Sequence, residues 1–140
     1  MSRPFKAAAI VSLIASLGAC SGPTGPTCAP GTGTSMAVFT LYLGEAIHGR
    51  PDLTGEEWKT FLDNIVTVAL PNGYTILDGN GAWISPITHK TAKEPTTILI
   101  AALPATSGSL AAINQIRSAY QTEFHQQLVG MTVQQACATF

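Results

Sequence analysis

Glu45, His48 and Asp52 fall in one stretch of eight residues, which sets two carboxylates and an imidazole on a single loop. Acid–base chemistry needs two such groups within hydrogen-bond reach of a substrate proton. A solvated polar loop has the same composition, so the cluster reads as surface unless the fold draws its members together. His125 stands near the end of a helical pattern, where a histidine favours the negative end of the helix dipole more often than a substrate. Tyr42 with Glu45 or a histidine is the combination that would make a small enzyme of the chain. The thiols offer different chemistry. Cys20 follows two small residues at the close of an apolar run, where a thiol can serve as the nucleophile toward an acyl group. Cys28 and Cys137 have no histidine or second cysteine at ligand spacing, so no metal site is expected. Serine-nucleophile, zinc and dinucleotide signatures are absent, and no cofactor is expected.

The first residues decide where this chemistry would take place. Arg3 and Lys6 are the only charges before Glu45, and Ala7 to Ala19 is apolar apart from Ser12, Ser16 and Gly18. That run is too short for a comfortable span, which takes about 20 residues. A basic start, a short apolar stretch and a small-residue exit describe a secretory signal peptide. Leu17-Gly18-Ala19-Cys20 resembles the bacterial lipobox, in which the thiol is acylated before the peptide on its N-terminal side is cut. Residues 1–19 are then a signal peptide, and Cys20 is the first residue of a lipid-anchored chain; an ordinary cleaved signal peptide or an uncleaved anchor is the alternative. Each buried methylene of the acyl groups contributes about 0.8 kcal/mol to anchoring. By resemblance to lipoprotein sorting, Ser21 (not aspartate) directs the chain to the outer membrane, facing the periplasm.

Beyond Cys20 the chain carries eight acids and five bases, net −3 with histidine neutral. That balance lacks the electrostatic footprint of a nucleic-acid binder. Residues 20–35 repeat Gly-Pro-Thr and hold no charge, so they read as a flexible tether. Residues 36–140 are long enough for one domain with a real core. In an oxidising compartment Cys28 and Cys137 are expected to pair, closing a loop worth roughly 4–5 kcal/mol in the chain-entropy picture. Two free or intermolecular thiols are the alternative.

The elements follow from periodicity. Met36 to Leu43 alternates as a strand, with Phe39, Leu41 and Leu43 on one face and Val38, Thr40 and Tyr42 on the other. Thr54-Gly55-Glu56-Glu57 has the form of a capping box, and Trp58, Phe61, Leu62, Ile65 and Ala69 follow at helical spacing until Pro71. Gly73 to Asp78 reads as a strand, Asn80-Gly81 as a tight hairpin turn, and Ala82 to His89 as the return strand. Trp83 and Tyr74 would flank that turn. Thr96 to Leu103 is apolar on both faces, as in a central strand. A second helix over Ser107 to Gln126 carries Leu110, Ile113, Ile116 or Arg117, Tyr120 and Phe124 as its stripe. A short strand over Leu128 to Val133 ends the pattern. Glu94 is placed to pair with Lys90 or Lys93. Counting Ala82 to His89 and Thr96 to Leu103 as one interrupted strand region, the order is β-α-β-β-α-β, the ferredoxin-like α+β arrangement, with both helices on one face of an antiparallel sheet. The other sheet face is left open.

Five stretches carry a family resemblance: "LYLG" at Leu41, "EEWKTFL" at Glu56, "LPNGYTILDGNGAW" at Leu70, "AYQTEFHQ" at Ala119 and the ending "ACATF". Taken together they resemble a bacterial domain-of-unknown-function family, number 3574, of small secreted or lipid-anchored proteins. The chain departs from that family at Leu43 and Leu70, where aromatic residues are usual. The resemblance implies a fold and a location and supplies no catalytic residues. The expected function is a cell-envelope lipoprotein that binds through the open sheet face. Thr40, Tyr42, Glu45 and Trp83 are its candidate ligand or dimer residues, although packing in the core or within its hairpin is the simpler account of Trp83. A homodimer or another envelope protein would be the partner, besides the membrane. The alternative is a small periplasmic enzyme with a pocket on the same face.

Overall fold

The computed structural model describes residues 27–47, 49–85 and 88–140. Cys20, the signal peptide and His48 lie outside them. Four strands, β1 (Thr34–Gly44), β2 (Thr75–Ile84), β3 (Thr91–Pro104) and β4 (Gly130–Ala138), form one antiparallel sheet in the order β2-β3-β1-β4. Between β1 and β2 run α1 (Gly55–Phe61), a π-helical turn (Leu62–Val66) and the single turn α2 (Thr67–Ala69). Between β3 and β4 runs α3 (Ser107–Glu123). This is the ferredoxin-like arrangement: each βαβ half is split by a strand of the other.

Alternation on β1 is strict: Ala37, Phe39, Leu41 and Leu43 are buried, and they meet Leu103, Ala101, Leu99 and Thr97 of β3 in register. These residues face the helices. Ile113, Ile116, Tyr120 and Phe124 of α3 and Phe61, Val66 and Leu70 of the first helical segment close over them. Aromatic rings join the two helical layers: Phe61 lies 5.3 Å from Tyr120 and 5.4 Å from Phe124, edge to face. Leu110, expected in the stripe, stays 41% exposed at the start of α3.

Thr54 and Glu57 form the expected capping box, and the chain leaves the helix before Pro71. The π turn is the departure. It makes the inward step five residues long, so Val66 lies in the core after Phe61 and Ile65 is pushed to its margin.

Asn80-Gly81 is not a turn. β2 passes straight through both residues, pairing Asn80 with Pro95 and Gly81 with Glu94. The reversal comes later, where the Ser85 amide donates to the Lys90 carbonyl and His89 adopts φ 52°. Gly81 serves close approach instead: a Cβ there would sit 2.7 Å from the Thr96 hydroxyl. β3 therefore begins at Thr91, five residues earlier than Thr96. β4 runs on to Ala138, well past Val133.

Cys28 and Cys137 form a disulfide, with Cα atoms 5.6 Å apart. The expected tether is shorter at its domain end, since Thr34 and Ser35 belong to β1 and Cys28 is tied to β4.

Candidate functional site

Both helical segments lie on the side of the sheet that holds Leu41 and Leu99, so among the described residues the opposite face is uncovered. Register assigns its residues. Val38, Thr40 and Tyr42 of β1 stand opposite Ala102, Ile100 and Ile98 of β3. Leu77 of β2 continues the Ile98 row, and Gly130 of β4 continues it on the other side of Tyr42. Tyr42 is 41% exposed, and Leu77 and Trp83 are each 48% exposed. Val38, Thr40, Ile98 and Ile100 are half-buried by one another. Thr75, Thr132 and Gln134 share the face with Thr40 and its apolar neighbours, so the centre of the face is uncharged, part apolar and part polar.

The hairpin of β2 and β3 reaches past the rest of the sheet. The last pair of β1 with β3 is Gly44 with Thr96, yet β2 and β3 stay paired from Asn80–Pro95 to Ile84–Thr91. Trp83, opposite Ala92, lies on the open-face side of this two-stranded ribbon, and Ile84 on the other side is 70% exposed. Trp83 is thus half covered and half open on this ribbon.

A polar cluster closes the end of β1. The Tyr120 hydroxyl donates to the Gly44 carbonyl at 2.9 Å, reaching through the core between the helices. Burial, and then the carboxylates of Glu45 and Glu94, push its phenol well above the usual tyrosine value. The Thr97 hydroxyl donates to Glu45 at 2.8 Å, and the Glu45 amide donates to the Pro95 carbonyl. Because Thr97 is buried on the helix side, the Glu45 carboxylate lies there too. It does not join Thr40 and Tyr42 on the open face. Glu94 is the acid on that face. Its carboxylate occupies the space above Gly44, where a Cβ would come within 2.7 Å of either oxygen, and it accepts from the Ala46 amide at 3.4 Å.

The proposed catalytic combination of Tyr42, Glu45 and a histidine does not assemble. Tyr42 and Glu45 point to opposite sides of the sheet. His125 is exposed and ends α3 through its left-handed backbone at φ 52°. Asp52 is exposed, and His48 lies outside the described residues. The surrounding loop is better held than a solvated one: Ile47 is buried, and Gln126 donates to the Ala46 carbonyl at 2.8 Å. Among the described residues no group of three or more histidine, cysteine or acidic side chains could hold a metal ion. No helix among them is long and apolar enough to cross a membrane.

Leu77, Ile98 and Ile100 belong to the face and were not singled out in the sequence. The signal was present: "TTILIAAL" is apolar at both parities, which fits a strand whose second face is bare as well as one covered on both.

The chain belongs to the family DUF3574. That family, described as a protein of unknown function, matches residues 39–140. No curated protein matches the sequence. Among the solved structures that share the fold are two of phage SAM lyase. One is a phage SAM lyase in complex with S-methyl-5′-thioadenosine, at TM-score 0.57 and 11% identity, covering 74% of this chain and 90% of that one. The other is a phage SAM lyase in the apo state, at TM-score 0.51 and 12% identity, covering 82% and 98%.

Proposed function

We propose that this DUF3574 chain is a lipid-anchored module of the cell envelope, held to the outer membrane through Cys20, that works by binding through its uncovered sheet face. One observation carries the reading: Tyr42, Leu77 and Trp83 are exposed around a centre of Val38, Ile98 and Ile100 on a face that no helix among the described residues covers. Exposed large apolar side chains gathered on one uncharged face are the kind of surface that marks an interaction site. The disulfide supports the placement, since such bonds persist in oxidising compartments. Hydroxyl-radical footprinting tests the binding face. Tyr42 and Trp83 are expected to be less reactive in intact envelopes than in the dilute purified chain. Equal reactivity in both settings contradicts it. Labelled palmitate tests the anchor: the label should enter the chain and vanish with Cys20→Ser, and an unlabelled product refutes the placement.

A second reading follows from the fold shared with SAM lyases. On it, the same face holds an adenine-bearing ligand, stacked on Tyr42 or Trp83. Titrating the full chain with S-methyl-5′-thioadenosine, and following SAM by chromatography, separates the two. Binding that Tyr42→Ala removes favours this reading. No binding at millimolar ligand excludes it.

A further inference from the structure

We infer that the occupant of the uncovered face is a second copy of this chain, packed sheet against sheet. The inference rests on the reading of that face as the binding surface.

Size is the first argument. β1 has 11 residues, and at about 3.3 Å per residue and about 4.8 Å per strand the face measures roughly 35 by 19 Å. That is roughly 670 Å² before side-chain relief is added, close to the roughly 800 Å² that each partner gives to a stable interface of standard size.

Charge is the second. The strand residues of this face include one ionisable acid or base, Glu94, and it sits at the end of the sheet. An uncharged centre is common to the cores of protein interfaces, and here it means that self-association sets no like charges against each other. An isologous pair brings each patch against itself. Thr40, Ile98 and Ile100 then pack among the same three residues of the second copy with no like charges opposed, while Glu94 stays at the rim in water.

The third argument is the ribbon. A two-stranded hairpin is marginal in water without a further layer. This one extends five residue pairs beyond its last neighbour strand and presents Trp83 on the interface side. A buried aromatic of this kind carries much of the binding energy of an interface. The second copy supplies the layer that the ribbon lacks.

Sedimentation of the full chain carrying Cys20→Ser, which removes acyl chains that would cluster on their own, tests this at roughly 1–100 µM, where a standard-sized interface associates. A concentration-dependent dimer is expected. Thr40→Lys, a polar change at the centre, should leave a monomer with an unaltered circular dichroism spectrum, and Ile100→Glu should do the same. Trp83→Ala should weaken association about tenfold, and Gln115→Glu on the outer side of α3 should change nothing. A monomer throughout the range overturns the inference, as does a dimer that neither central substitution dissociates. Loss of the dimer with envelope protection of Tyr42 and Trp83 intact would sink the second copy alone. Equal reactivity in both settings would sink the binding face itself.

Discussion

Tyr120 links the core to the end of β1. Its hydroxyl meets the Gly44 carbonyl 76 residues away in sequence, within an aromatic cluster of Trp58, Phe61 and Phe124. Tyr120→Phe keeps the ring and leaves that carbonyl without its donor, so chemical denaturation should show a loss of about 1–2 kcal/mol. The phenol is held protonated by burial and by the two carboxylates, which places its folded-state ionisation above the ordinary 10.0. A raised value of this kind gives stability that is complete below pH 10.0 and lost as pH rises beyond it. The melting temperature of the wild type should therefore fall more steeply above pH 10.0 than that of Tyr120→Phe. The sequence marked Tyr120 as a stripe residue from its spacing. It could not show the Gly44 bond, because that depends on how two distant elements pack. Asn80-Gly81 failed for a related reason. The dipeptide is a local turn signal, but Gly81 is there to clear the Thr96 hydroxyl on the neighbouring strand.

At the scale of elements, the first helix is the most legible part of the chain. Its start is local chemistry: the Thr54 hydroxyl accepts from the Glu57 amide at 3.3 Å, and the Glu57 carboxylate accepts from the Thr54 amide at 2.9 Å. Thr54→Ala should lower stability by about 1 kcal/mol in denaturant melts. Arg50 and Thr54 together hold the Glu57 carboxyl down to about 2 from 4.5. A depressed carboxylate of this kind contributes stability that is present above pH 4.5 and lost as pH falls through about 2. Solvent screening keeps the effect small. Over that window the melting temperature of the wild type should drop more than that of Glu57→Gln. The π turn was not legible, because the apolar residues Ile65 and Val66 stand side by side and either fits an inward position. The strands read well where one face is buried, as in β1. They read poorly along β2 and β3 beyond Thr96, where neither face of the ribbon is covered and alternation carries no signal.

For the whole molecule, the disulfide and the bare face set the behaviour. Cys28 and Cys137 lie 109 residues apart, so Cys137→Ser should destabilise the domain by roughly 4–5 kcal/mol if the chain-entropy picture holds. Denaturant midpoints with and without reductant would show it, and coincident midpoints would contradict it. The order of elements was readable because periodicity and caps announce each one, and right-handed crossovers put both helices on one side. The split of the candidate site was not. Tyr42 and Glu45 are three residues apart, but Glu45 follows the strand's end and turns toward Thr97 on the other face. The central claim is that the uncovered face is the working surface. Photo-crosslinking in intact envelopes tests it most directly, with a benzophenone amino acid in place of Tyr42 or Gln115. The account expects a discrete adduct from position 42 and none from position 115. No adduct from position 42, or equal yields from both positions, would contradict it.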